Sequence, residues 1–84
     1  MPTTAQVVVD IVKEVDEVLS IHDFRVVTGP THTNLIFDIV VPFGFPLSDV
    51  DLTNKIQEQV WKYNPAYYVV IEIDKAYTKV NEKK

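Results

Sequence analysis

The chain has 84 residues with 46% hydrophobic and 11% aromatic side chains, no cysteine, and a formal net charge of -4 at pH 7. That length makes one domain, able to bury only about 60 to 65% of its unfolded surface, and that apolar content excludes intrinsic disorder. The missing thiols exclude disulfides, thiolate metal sites and thiol catalysis. The acidic balance, with basic residues scattered, argues against nucleic acid as a partner.

No apolar run reaches the roughly 18 to 20 residues of a membrane span. The N-terminus also lacks the basic and apolar regions of a signal peptide. The expectation is a soluble, intracellular fragment.

In chain order, the first organised segment covers residues 4–19. Val8, Ile11, Val12, Val15, Val18 and Leu19 recur at three- and four-residue spacing and predict an amphipathic helix. Its other face carries Asp10, Lys13, Glu14 and Glu17, which read as solvated surface. Thr3 with Gln6 predicts a capping box. The many valines weaken intrinsic helix propensity, so the helix depends on packing its stripe.

The next run, Ile21-His22-Asp23-Phe24-Arg25-Val26-Val27, predicts a strand. Gly29-Pro30 breaks it, and residues 35–41 resume as a second strand. Along that strand Leu35, Phe37, Ile39 and Val41 share one face. Asn34, Ile36, Asp38 and Val40 share the other, because side chains alternate. Residues 42–46 are an aromatic, proline-bounded loop.

Ser48 then reads as the N-cap of a second helix, with Asp49 and Asp51 where the helix dipole favours negative charge. Leu52, Ile56, Val60 and Tyr63 form its inward stripe, and Asn64-Pro65 ends it. Residues 67–74 predict a last strand, alternating Val69, Ile71 and Ile73 against Val70, Glu72 and Asp74. The folded core is expected over residues 5–74, with a polar, frayed tail at 75–84.

The order helix, strand, strand, helix, strand predicts an α+β, open-faced ferredoxin-like sandwich, metallochaperone-like, with both helices on one face of a three-stranded sheet. The opposite face then carries Val40, Tyr68 and Val70. Such an apolar face reads as a contact surface, most economically a homodimer's.

Chemistry centres on His22, Asp23, Asp38, Asp51, Glu72 and Asp74. Imidazole and carboxylates at the ends of neighbouring elements offer ligands for a divalent ion. With so many oxygens the set suits Mn²⁺ or Fe²⁺ as well as Zn²⁺. Each residue also has a plain structural reading. His22 and Asp74 stand at strand ends, Asp51 caps a helix, Glu72 is surface, and Asp38 pairs with Arg25 across strands. His32 lies in the turn, exposed to solvent; Trp61 and Tyr63 read as core or interface aromatics. No catalytic constellation and no glycine-rich phosphate loop is present, so the chain reads as a non-enzyme without an organic cofactor.

His22-Asp23-Phe24-Arg25 followed by Gly29-Pro30-Thr31, the second strand at 36–41, and Val69-Val70-Ile71-Glu72-Ile73-Asp74 stand in an order and spacing that resembles a known family. That family is the cytoplasmic C-terminal domain of cation diffusion facilitators, transporters that export divalent metal cations. The resemblance covers residues 8–74. It implies a homodimer on the cytoplasmic side of the cell membrane, attached to the transmembrane part of the same transporter chain. It also implies that metal binding closes a V-shaped dimer and so favours transport.

Carried over by position, His22 matches a metal-binding histidine at the start of the first strand. Asp38 falls near a second-strand histidine, Asp51 near one early in the second helix, and Glu72 and Asp74 match a His and an Asp on the last strand. This chain therefore has carboxylates at up to three histidine positions. Without metal such a cluster repels itself and holds the dimer open. A free-standing ferredoxin-like module binding a small ligand or metal is the alternative, and a small hydrolase of acylphosphatase type is a third reading.

Overall fold

The structure is a computed structural model and describes residues 3–76. Five elements follow one another: α1 (Thr4–Val15), β1 (Ser20–Thr28), β2 (Thr33–Pro42), α2 (Asp49–Tyr63) and β3 (Tyr67–Ala76). The strands form one sheet in the order β1-β2-β3, with β1 antiparallel and β3 parallel to the central β2. This is the α+β ferredoxin-like arrangement expected from the sequence, with two helices on one side of an open mixed sheet.

The core lies between the helices and one sheet face. Leu35, Phe37, Ile39 and Val41 of β2 are buried there with Val8 and Val12 of α1 and Leu52, Ile56 and Val60 of α2. Ile21 and Phe24 of β1 and Val69, Ile71 and Ile73 of β3 pack around them. Both apolar periods read from the sequence meet in this layer, at 3.6 residues on the helices and two on the strands.

α1 is shorter than its apolar spacing suggested. It ends at Val15, and the Asp16 carboxylate turns the chain by accepting from the Val18 N–H at 3.1 Å. Aspartate competes well with helix geometry in this way. Leu19 reaches the core from beyond the helix, whereas Val18 points outward at 57% exposure and leaves the predicted stripe. Lys13 closes the loop by donating to the carbonyls of Glu17 (3.0 Å) and Leu19 (2.7 Å).

The capping box forms only in part. Thr3 Oγ1 accepts from the Gln6 N–H at 3.2 Å. The Gln6 side chain instead donates to Asp10 at 2.9 Å, one helical turn on.

α2 begins as predicted: Ser48 Oγ accepts from the Asp51 N–H at 3.1 Å. Tyr63 is a correction to its stripe. It lies at the last position of the helix and is 52% exposed, tilted against Tyr67 at 6.0 Å. β3 outlasts its prediction, because Lys75 is held by Asp49 of α2 at 2.8 Å. The rest of the expected polar tail, 77–84, lies outside the described residues. Among the described residues no helix is long and apolar enough to cross a membrane.

Two turns set the strand positions. Gly29 donates its N–H to the His32 carbonyl at 2.9 Å, and a Cβ on Gly29 would meet that same oxygen at 2.9 Å. After β2, Phe45 donates to Pro42 at 3.1 Å across Gly44, whose φ of 82° suits the third position of a type II turn.

Candidate functional site

The residues singled out for metal chemistry fall mainly on the open sheet face. His22 of β1 pairs in register with Asp38 of β2, and Asp38 with Glu72 of β3. One imidazole and two carboxylates thus form a row across all three strands, the antiparallel His22–Asp38 pair at the roughly 4.5 to 5.5 Å Cβ spacing of such pairs. Asp74 stands one row further, in register with Val40 and diagonal to Asp38. Ile36 lies on the other side of the row, with Arg25 and Val70 as its partners.

Asp23 completes the group, and a β-bulge brings it there. Between the pairs His22–Asp38 and Arg25–Ile36, two β1 residues face one β2 residue. Asp23 takes the left-handed conformation at φ 55°, which aspartate tolerates better than most residues. The inserted residue resets the alternation, so Phe24 turns inward against Phe37 at a ring distance of 5.9 Å. Arg25 then turns to the open face.

The electrostatics of Asp38 follow from this crowding. Partial burial mid-strand raises its pKa first of all. The protonated Asp38 carboxyl also donates a hydrogen bond to Asp23, and the charges of Asp23 and Asp74 push in the same direction. Arg25 opposes them, yet among the described residues it forms no ion pair with Asp38, which corrects the cross-strand pairing expected for it.

Asp51 does not belong to this group. It is exposed in the first turn of α2, beside a shallow groove with Leu47, Asn54, Lys55 and Glu58. α2 packs on the core face, so the sheet separates Asp51 from Asp38. Its structural role in the helix's first turn accounts for it.

His32 is also apart, exposed beyond the hairpin turn. Its ring meets Tyr68 edge-on at 4.8 Å, and Tyr68 meets Trp61 at 5.6 Å. These three aromatics cover one end of the sheet; Trp61, 42% exposed, is a surface residue and not part of the core.

The donor chemistry of the row, one imidazole among carboxylates, fits a divalent cation of the Zn²⁺, Mn²⁺ or Fe²⁺ kind. Within one chain the side chains do not converge, however. Among the described residues no three His, Asp or Glu side chains stand together closely enough to hold an ion. The row thus shares one face and one register without closing around an ion within one chain. Asp23 is the member that sequence spacing least revealed, because only the bulge brings its carboxylate to Asp38.

Compared with protein-family models, curated proteins and solved structures, the chain has no match.

Proposed function

We propose that this domain is the cytoplasmic dimerisation and metal-sensing regulatory domain of a cation diffusion facilitator, a transporter that exports divalent metal cations. The observation that carries this reading is the His22–Asp38–Glu72 row, flanked by Asp23 and Asp74, on a sheet face that also exposes apolar side chains. Val70 is 51% exposed and Tyr68 42%, and Ile36 and Val40 are only half-buried. Apolar surface of this kind favours association of two copies.

Carboxylates in the same surface oppose that association at close range. A divalent cation resolves the conflict: it offsets the negative charge and takes ligands from both facing copies, completing the shell that one chain leaves partial. Metal supply is thereby coupled to the spacing of the two domains, and through them to the membrane part of the transporter.

Calorimetric titration with Zn²⁺ and with Mn²⁺, alongside light scattering, tests this directly. Saturable micromolar binding, tightened association on metal addition, and loss of both in His22→Ala and Asp38→Asn are expected. The same mass and shape with and without metal would overturn the reading.

A further inference from the structure

β3 is an edge strand, paired only with β2. Its free edge is met at one point by Gln57 of α2. The Gln57 carboxamide donates to the Tyr67 carbonyl at 3.1 Å and accepts from the Val69 N–H at 2.9 Å. These are the two bonds that a neighbouring strand would make. They also fix the direction of the backbone. Ala66 accepts from Thr33 on the β2 side at 2.9 Å, whereas Tyr67 and Val69 face away from β2. Backbone groups alternate between the two sides of a strand, so Ile71 and Ile73 also point their N–H and C=O outward. Among the described residues no hydrogen-bond partner meets the N–H of either.

Next to that stretch lies a groove walled by Asp49, Val50, Thr53, Asn54, Ile71 and Ile73. Val50 is 66% exposed there. On the other side of the strand, Glu72 and Asp74 are exposed at the same edge. The edge thus presents free backbone groups, a groove in which Val50, Ile71 and Ile73 are the apolar members beside the polar Asp49, Thr53 and Asn54, and two carboxylates on the open side.

We propose that the β3 edge around Ile71 and Ile73 is a docking site for an extended segment of a partner protein in which apolar and basic residues alternate. The segment adds as a fourth strand beyond the point that Gln57 occupies. Its apolar side chains enter the groove against Val50, Ile71 and Ile73, and its lysines or arginines stand beside Glu72 and Asp74. Charge selects this occupant over a second copy. Antiparallel self-pairing centred on Glu72 opposes two identical carboxylates, and centring on Ile73 sets Glu72 against Asp74. Centring on Ile71 leaves all four carboxylates uncompensated between two chains of net charge -4. The inference shares Glu72 and Asp74 with the metal reading but does not require a bound ion, so its test is run with chelator present.

The probe is a short fluorescent peptide of alternating lysine and valine, with a twin carrying glutamate for lysine. Titrated against the 84-residue protein, the basic peptide is expected to saturate and to bind at least about ten-fold more tightly than the acidic one. Amide shifts in NMR should concentrate at Ile71 and Ile73. The double change Glu72→Lys with Asp74→Lys should reverse the preference between the peptides. Ile73→Pro removes one outward N–H at an edge position where proline is tolerated, and should abolish binding with the circular dichroism spectrum retained. Equal affinity for both peptides, no binding, or shifts confined to another surface would overturn the proposal. So would a peptide-independent doubling of mass that perturbs the same two amides, which would assign the edge to a second copy.

Discussion

Asp38 is the residue on which the open face turns. Burial and two neighbouring carboxylates raise its pKa, so the folded protein holds its proton to higher pH than the unfolded chain, whose aspartates titrate near about 3.9. The folded state then binds more protons across that window, and stability falls as pH rises through it. The penalty is complete above the raised folded value and absent below about 3.9. Asp38→Asn should therefore raise the melting temperature at neutral pH in the absence of metal, and the gain should fade as pH falls toward 3.9. Thermal melts of both proteins over an acid-to-neutral series check the sign; a gain that grows in acid would contradict it. Asp23→Asn should act in the same direction, because asparagine also tolerates the left-handed backbone at φ 55°.

At the scale of elements, caps and edges carry measurable weight. Ser48→Ala removes the acceptor for the Asp51 N–H and should cost about 1 kcal/mol in urea unfolding. Gln57→Leu removes two bonds to the backbone of β3. It should cost roughly 1 to 3 kcal/mol, since partly buried groups lose their partners, and it should speed hydrogen exchange at Val69 above all. Both helices were legible in sequence because their apolar stripes and N-cap residues are local signals. The end of α1 was less so: valines at 15 and 18 continue the period, and only the competing Asp16 turn stops the helix. The bulge at Asp23 left no signal either. His22-Asp23-Phe24 reads as regular alternation, and the inward turn of Phe24 depends on Phe37, thirteen positions further along the chain. The row His22–Asp38–Glu72 was half legible. Period two placed Glu72 and Asp74 on one face, but register between strands is a tertiary property. Asp51 was misplaced for a different reason: the predicted layers already set its helix on the face opposite Asp38, and grouping acidic residues at element ends overlooked that the sheet would stand between them.

For the whole molecule, the two sheet faces divide the labour. One is sealed by α1 and α2 around Phe37, which is 1% exposed; Phe37→Ala should cost about 3 to 5 kcal/mol, a large share of a small domain's stability of about 5 to 15 kcal/mol. The other face stays open and combines apolar and acidic side chains. On the proposed reading it is where two copies meet. Val70, 51% exposed in one chain, can then become lysine at little cost to folding. Val70→Lys should weaken the dimer by more than about 1 kcal/mol, seen as a rise in the dissociation constant by sedimentation, with an unchanged melting curve at low concentration.

The most direct test of the central claim is a titration of ¹⁵N-labelled protein with Mn²⁺, followed by paramagnetic broadening of backbone amides. The account predicts that signals from His22, Asp23, Asp38, Glu72 and Asp74 broaden first, while those around Asp51 persist. Broadening that starts at Asp51, or that spreads evenly over all acidic surfaces, would contradict a cation-sensing open face.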